Sequence, residues 1–169
     1  VMKEKIGNKP VIAEDLGFLT PSVIKLVKKT GYPGMKILQF AFDSREESDY
    51  LPHNYSANSV VYTGTHDNDT MMGWYQSVNR RDKSFAKRYL NIKGNKDMVW
   101  NFIRAAISSV SDTAIIPMQD YLSLGSEARI NIPSTLGDNW KWRMVKGQIE
   151  EGLAEKIYKM CKVYGRIKQ

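Results

Sequence analysis

Val60-Val61-Tyr62-Thr63 runs straight into Gly64-Thr65-His66-Asp67-Asn68-Asp69-Thr70, a short β-branched and aromatic stretch that ends in polar and acidic side chains. Its apolar residues are continuous rather than alternating, the pattern of a strand covered on both faces. Three further runs share it: Val11-Ile12-Ala13, Lys36-Ile37-Leu38-Gln39-Phe40-Ala41-Phe42 and Ala114-Ile115-Ile116-Pro117-Met118. Each is followed by polar residues, namely Glu14-Asp15, Asp43 and Gln119-Asp120. Helical patterns fill the gaps. Thr20 can cap a helix that begins at Pro21 and ends at Gly31, with Val23, Leu26 and Val27 as its apolar side. A second helical region starts near Asp69 and continues, broken around Asn79 to Asp82, as far as Asn91. Val99, Phe102, Ile103, Ala106, Ile107 and Val110 keep the helical period throughout, and a fourth helix is predicted from Lys146 to Tyr164. Its stripe is Ile149, Leu153, Ile157, Cys161 and Tyr164. Strands alternating with helices predict an α/β architecture with a parallel sheet, and ligands of such sheets bind at the C-terminal strand ends. The polar, aromatic segment from Asp43 to Asn58 is predicted to be a loop on that face.

The 169 residues, 42% hydrophobic and 25% charged, suffice for one domain with a core and exclude a disordered or collagenous chain. No apolar stretch reaches the roughly 20 residues of a membrane span, and Val1 to Pro10 carries no signal-peptide core. A single cysteine, Cys161, excludes an internal disulfide framework and suits a reducing, cytoplasmic compartment. The net charge of +7 raises nucleic acid as a partner. Yet Lys25, Lys28 and Lys29, Lys83, Lys87 and Arg88, and Lys156, Lys159 and Lys162 each recur at the spacing of a solvated helix face, so neither nucleic acid nor a membrane is the expected partner.

The chain has no phosphate loop, dinucleotide fingerprint or nucleophile elbow. Asp67-Asn68-Asp69 lacks the glycine and glutamate of a calcium loop, and His53, His66 and Cys161 make no standard zinc set. What remains is a pair of carboxylates after different strands, Glu14 and Asp67. Paired carboxylates serve glycoside chemistry, one protonating the leaving oxygen while others stabilise or attack the oxocarbenium-like centre. An acid at a strand end is also a helix cap or salt-bridge partner, and the pair alone leaves both readings open.

Whole segments narrow the choice. Val11-Ile12-Ala13-Glu14-Asp15-Leu16-Gly17, Gly34-Met35-Lys36-Ile37-Leu38-Gln39-Phe40, Leu51-Pro52-His53-Asn54-Tyr55 and Tyr62-Thr63-Gly64-Thr65-His66-Asp67-Asn68-Asp69-Thr70 resemble, in order, the 4-α-glucanotransferases of glycoside hydrolase family 77, the amylomaltases or disproportionating enzymes. Gly125-Ser126-Glu127-Ala128-Arg129 and Asn139-Trp140-Lys141-Trp142-Arg143 continue the likeness. The resemblance implies a (β/α)8 barrel of the α-amylase superfamily that moves α-1,4-glucan segments between maltooligosaccharides through a covalent glycosyl-enzyme, with retention and without metal or organic cofactor. It implies that Glu14 is the general acid/base after the fifth strand, and Asp67 the transition-state-stabilising carboxylate after the seventh. His66 is implied to bind the transferred sugar. His53 and Asn54 are expected as loop contacts near the site and Asn139 as a sugar contact. Asp15 is read as structural, capping the following helix. Trp140 and Trp142 suit packing or a sugar platform, and Gln39, Gln119 and Asp120 suit either lining the site or bracing the barrel.

Two departures from the family stand out. Ser134 follows Pro133 where the family has glycine, which matters only if the backbone there needs positive φ. The family's nucleophile is an aspartate after the fourth strand in an arginine-x-aspartate-histidine setting, and these 169 residues hold no such segment. A complete barrel takes roughly 250 residues. Residues 1–169 are therefore expected to be the C-terminal half of the barrel, strands five to eight, with no complete second domain. Val1 to Pro10 would belong to the helix and loop leading out of the fourth strand. Four strands cannot close, so exposed edges and self-association through them are expected, as is loss of catalysis by the isolated chain. The rival expectation is a non-catalytic α-glucan-binding module.

Overall fold

Three short runs pair in parallel. The computed structural model describes residues 2–7, 9–17, 19–94 and 97–167. In it, strand β1 (Gly34–Ile37) lies beside β2 (Ser59–Tyr62) and β2 beside β3 (Thr113–Ile115), all parallel and in that order. The register sets Lys36, Val61 and Ala114 in one row and Met35, Val60 and Thr113 in the next, so the two rows face opposite sides of the sheet. The first predicted strand is much shorter than expected: among the described residues it makes a single parallel bridge, Ala13 to Gly34.

Seven helices are described: α1 (Met2–Ile6), α2 (Pro21–Thr30), α3 (Met71–Ser77), α4 (Arg80–Tyr89), α5 (Met98–Ser108), α6 (Met118–Tyr121) and α7 (Leu153–Val163). Of the N-terminal segment expected to hold a helix, Val1 and Asn8 lie outside the described residues. α2 has the predicted ends. Thr20 accepts a bond from the Val23 N–H, and Gly31, at φ +69°, returns its N–H to the Lys28 carbonyl. The break between α3 and α4 also falls where predicted, because Asn79 Oδ1 accepts from the N–H groups of Arg81 and Asp82 and starts a new helix.

Two predicted elements differ. Lys36 to Phe42 is not one strand: after Ile37 the chain tightens into a 3-10 turn, Leu38–Phe42. The turn puts Leu38, Ala41 and Phe42 together into the core, where the Phe42 ring meets Trp74, Phe85, Tyr89 and Phe102 at centroid distances of 5.5 to 6.2 Å. The last helix starts at Leu153, not Lys146, because Gly147 and Gly152 both take positive φ and Ile149 stays exposed. Leu153, Ile157, Cys161 and Tyr164 do pack against the core, as their spacing predicts. Beyond α7, the Arg166 guanidinium donates to the carbonyls of Ile107, Ser109, Ser111 and Asp112, closing the C-terminal end of α5.

Gln39, Gln119 and Asp120 brace the scaffold. Gln39 Nε2 donates to the Asp69 carbonyl (2.7 Å) and Gln119 Nε2 to that of Ala128 (3.3 Å). Asp120, almost fully buried, accepts from the Thr63 hydroxyl and from the Met71 N–H at the start of α3 (2.7 Å). Burial pushes its carboxyl above the usual 3.8, and the two hydrogen bonds only partly oppose this. The folded chain then holds the Asp120 proton more tightly than the unfolded chain does. Its contribution to stability is complete below about pH 4 and is lost as pH rises through the raised folded-state value. Asp120→Asn removes that titration. The unfolding midpoint of the wild type relative to Asp120→Asn is expected to fall as pH rises above about 4; a gap constant with pH contradicts this.

Candidate active site

The loop after β2 is shaped by its own side chains. Asn68 Oδ1 accepts from the Thr65 N–H and the Thr65 hydroxyl, both at 2.8 Å, and the Asp67 N–H donates back to Thr65 Oγ1 (3.3 Å). This turn carries His66, exposed, and Asp67, half-buried, beyond the strand end.

A second segment, distant in sequence, locks onto the turn. Asn131 Nδ2 donates to Asp67 Oδ1 (2.6 Å), and the Asn131 N–H donates to the His66 carbonyl (3.1 Å). Arg129 donates from Nη2 to the Asp67 carbonyl (2.6 Å) and from Nε to the Asn131 carbonyl (2.9 Å). The His66 ring lies 5.0 Å from that of Trp140, tilted by 37°, and His66 Nε2 is 3.3 Å from Asp67 Oδ1. Trp140 holds this place from the left-handed region, φ +64°, with its N–H on the Ile130 carbonyl (2.7 Å). A bulky residue there is strained, and such strain persists only where surrounding contacts impose it.

Glu14 follows Ala13, the residue that bridges to β1. It is exposed and has no hydrogen-bond partner among the described residues. Burial pushes the phenol of Tyr62, the last residue of β2, above its usual range, and the Glu14 carboxylate adds to the shift. Asp15 is structural, as expected, but by a different contact. Its Oδ1 accepts the Met35 N–H (2.7 Å), latching this segment to β1, while Thr20 caps α2. A Cβ at Gly34 would meet the Asp15 carboxylate, so any other residue there would displace Asp15 from its bond to Met35. Among the described residues, no group of three or more His, Cys, Asp or Glu is arranged to hold a metal ion.

The family model for glycoside hydrolase family 77, 4-alpha-glucanotransferase, matches residues 1–148. The chain belongs to this family. It is 50% identical over 167 residues to the 4-alpha-glucanotransferase of Clostridium butyricum, covering 98% of this chain and 34% of that protein. It is 46% identical over 165 residues to the chloroplastic/amyloplastic enzyme DPE1 of Arabidopsis thaliana, covering 96% and 29%. The amylomaltase of Streptococcus agalactiae in complex with acarbose superposes with a TM-score of 0.93 at 37% identity, covering 99% of this chain and 34% of that one. The chain thus shares the α/β fold and parallel sheet of an amylomaltase and spans about a third of the length of the relatives it matches.

Other residues of this chain that the sequence points to are engaged locally. His53 Nδ1 is 2.9 Å from the Tyr89 hydroxyl of α4, with the two rings 5.7 Å apart. Asn54 Nδ2 donates to the Ser48 carbonyl (3.1 Å). Asn139 Oδ1 accepts the Ile132 N–H (2.9 Å), and its Nδ2 donates to the Thr135 hydroxyl and carbonyl, tying the 132–139 loop together. Ser134, in that loop, has φ +62°. The glycine typical of the family suits this conformation, and serine adopts it at a cost of about 1 kcal/mol. Asn131 and the Arg129 bracket are invisible to sequence reasoning beyond the match at Arg129, since their partner lies more than 60 residues away. No helix among the described residues is long and apolar enough to cross a membrane.

Proposed function

We propose that residues 1–169 are the C-terminal half, strands five to eight, of the catalytic (β/α)8 barrel of a cytoplasmic 4-α-glucanotransferase acting on α-1,4-glucans and maltooligosaccharides. The observation that carries the reading is that Ala13 bridges to β1, tying the segment that bears Glu14 to the parallel sheet, while Asp67 lies in the loop that β2 feeds. Two carboxylates then serve one sugar-binding face at the C-terminal ends of parallel strands.

Glu14 is the general acid/base. It gives its proton to the glycosidic oxygen as the bond to the leaving glucan breaks, then takes a proton from the incoming sugar hydroxyl. Asp67 holds negative charge against the oxocarbenium-like centre, and His66, fixed over Trp140, binds a hydroxyl of the same sugar. His53 offers its Nε2 from the loop face. Asn54 and Asn139 hold the loops whose surfaces complete the glucan path. The nucleophile comes from the part of the barrel outside residues 1–169, and the edges left by the half sheet pair with that part. In its absence the edges favour self-association.

The test is maltotriose incubated with the full-length protein carrying this segment. Redistribution into glucose and longer maltooligosaccharides supports the reading. Binding of maltooligosaccharides without redistribution favours the glucan-binding module instead.

A further inference from the structure

We propose that Asn131 is a positioning residue for Asp67, holding Oδ1 so that Oδ2 is the oxygen presented to the sugar. This rests on the role proposed above for Asp67. The Asp67 carboxylate has two oxygens in different surroundings. Oδ1 takes the Asn131 Nδ2 bond at 2.6 Å and has His66 Nε2 at 3.3 Å, whereas Oδ2 takes no hydrogen bond among the described residues. The Asn131 amide must turn its NH2 to Asp67, since its own oxygen would face a carboxylate there.

Asn131 can act as a bracket because its own backbone is fixed on both sides. Its N–H is bound to the His66 carbonyl and its carbonyl to Arg129 Nε, while Arg129 Nη2 grips the Asp67 carbonyl. Asp67 is thus held through its main chain by a cation and through its side chain by a neutral amide.

That division of labour has a chemical consequence. An arginine paired directly with the carboxylate would cancel the negative charge that faces a developing sugar cation. The guanidinium instead spends its donors on carbonyl oxygens, and the amide fixes the carboxylate without neutralising it. The gain is orientation: a carboxylate free to rotate loses alignment at the moment charge develops, and a displacement of about 1 Å costs on the order of 100-fold in rate.

The experiment uses the full-length enzyme with maltotriose, comparing Asn131→Ala, Asn131→Asp and, as a benchmark, Asp67→Asn. Asn131→Ala is expected to lower kcat by about 10- to 100-fold, with little change in KM or in unfolding midpoint. Asn131→Asp has the same shape and at neutral pH places a second carboxylate against Oδ1, so its kcat falls below that of Asn131→Ala. As pH is lowered, the introduced carboxyl takes up a proton and regains a donor, and the ratio of Asn131→Asp to wild-type kcat rises. The ratio for Asn131→Ala stays flat. A structural role alone moves the midpoint and not these ratios. An active wild type, an inactive Asp67→Asn and an Asn131→Ala with wild-type kcat overturn this inference alone, as does a flat ratio for Asn131→Asp. A wild type without transfer, or Asp67→Asn with full turnover, overturns the reading of the site and this inference with it.

Discussion

Glu14→Gln in the full-length enzyme is expected to lower turnover on maltotriose by about 10² to 10⁴-fold, the range that general acid catalysis supplies. The substitution keeps the shape and removes the proton. A glucosidic oxygen is a poor leaving group unless it is protonated as the bond breaks, so the loss should appear in kcat with substrate binding retained. α-Maltosyl fluoride, whose fluoride departs without a proton, should restore formation of the glycosyl-enzyme, and azide should then accept the sugar without needing a base. The exposed carboxylate of Glu14, free of hydrogen bonds among the described residues, suits a group that must exchange its proton in every cycle. Equal loss on maltotriose and on the fluoride contradicts an acid role and leaves Glu14 as a structural side chain.

The isolated chain, residues 1–169, is expected to transfer no glucan at all, a fall on the order of 10⁶-fold, the scale seen when a covalent nucleophile is removed. The reason is chemical rather than conformational. In the reading proposed above, Glu14 and Asp67 offer an acid and a stabilising charge, but the motif that carries the family's nucleophile is not among these residues. Adding the remainder of the barrel as a separate polypeptide should recover activity, because β3 and the Ala13 edge have no further strand partner among the described residues and offer backbone for it to join. Disproportionation of maltotriose by residues 1–169 alone contradicts the half-barrel reading.

Much of the scaffold is legible in the sequence because its signals are local. Thr20, Pro21 and Gly31 bound α2 within a dozen residues, and the apolar period from Val99 to Ile107 marks α5 without help from elsewhere. The failures have two causes. Leu38 to Phe42 is an apolar run too short to separate a strand from a turn of buried helix, and only packing against Trp74 and Phe102 from later helices decides it. Ile149 fits the stripe of α7 but falls before Gly152, whose positive φ ends the continuity. Around the candidate site, His66 and Asp67 stand out through their motif, and Glu14 through its place after a predicted strand. Asn131 is not, because an asparagine before Ile132-Pro133 carries no sign that its amide reaches a carboxylate across 64 positions.

If Glu14 supplies the acid and Asp67 the stabilising carboxylate, the covalent bond is made elsewhere in the protein. A mechanism-based 5-fluoro-α-glucosyl fluoride, which traps the glycosyl-enzyme, tests it most directly when the labelled full-length protein is digested and mapped by mass spectrometry. The label is expected on an aspartate outside residues 1–169, and to form as well in Glu14→Gln. A label on Asp67, on Glu14 or on any other carboxylate within residues 1–169 would contradict the account.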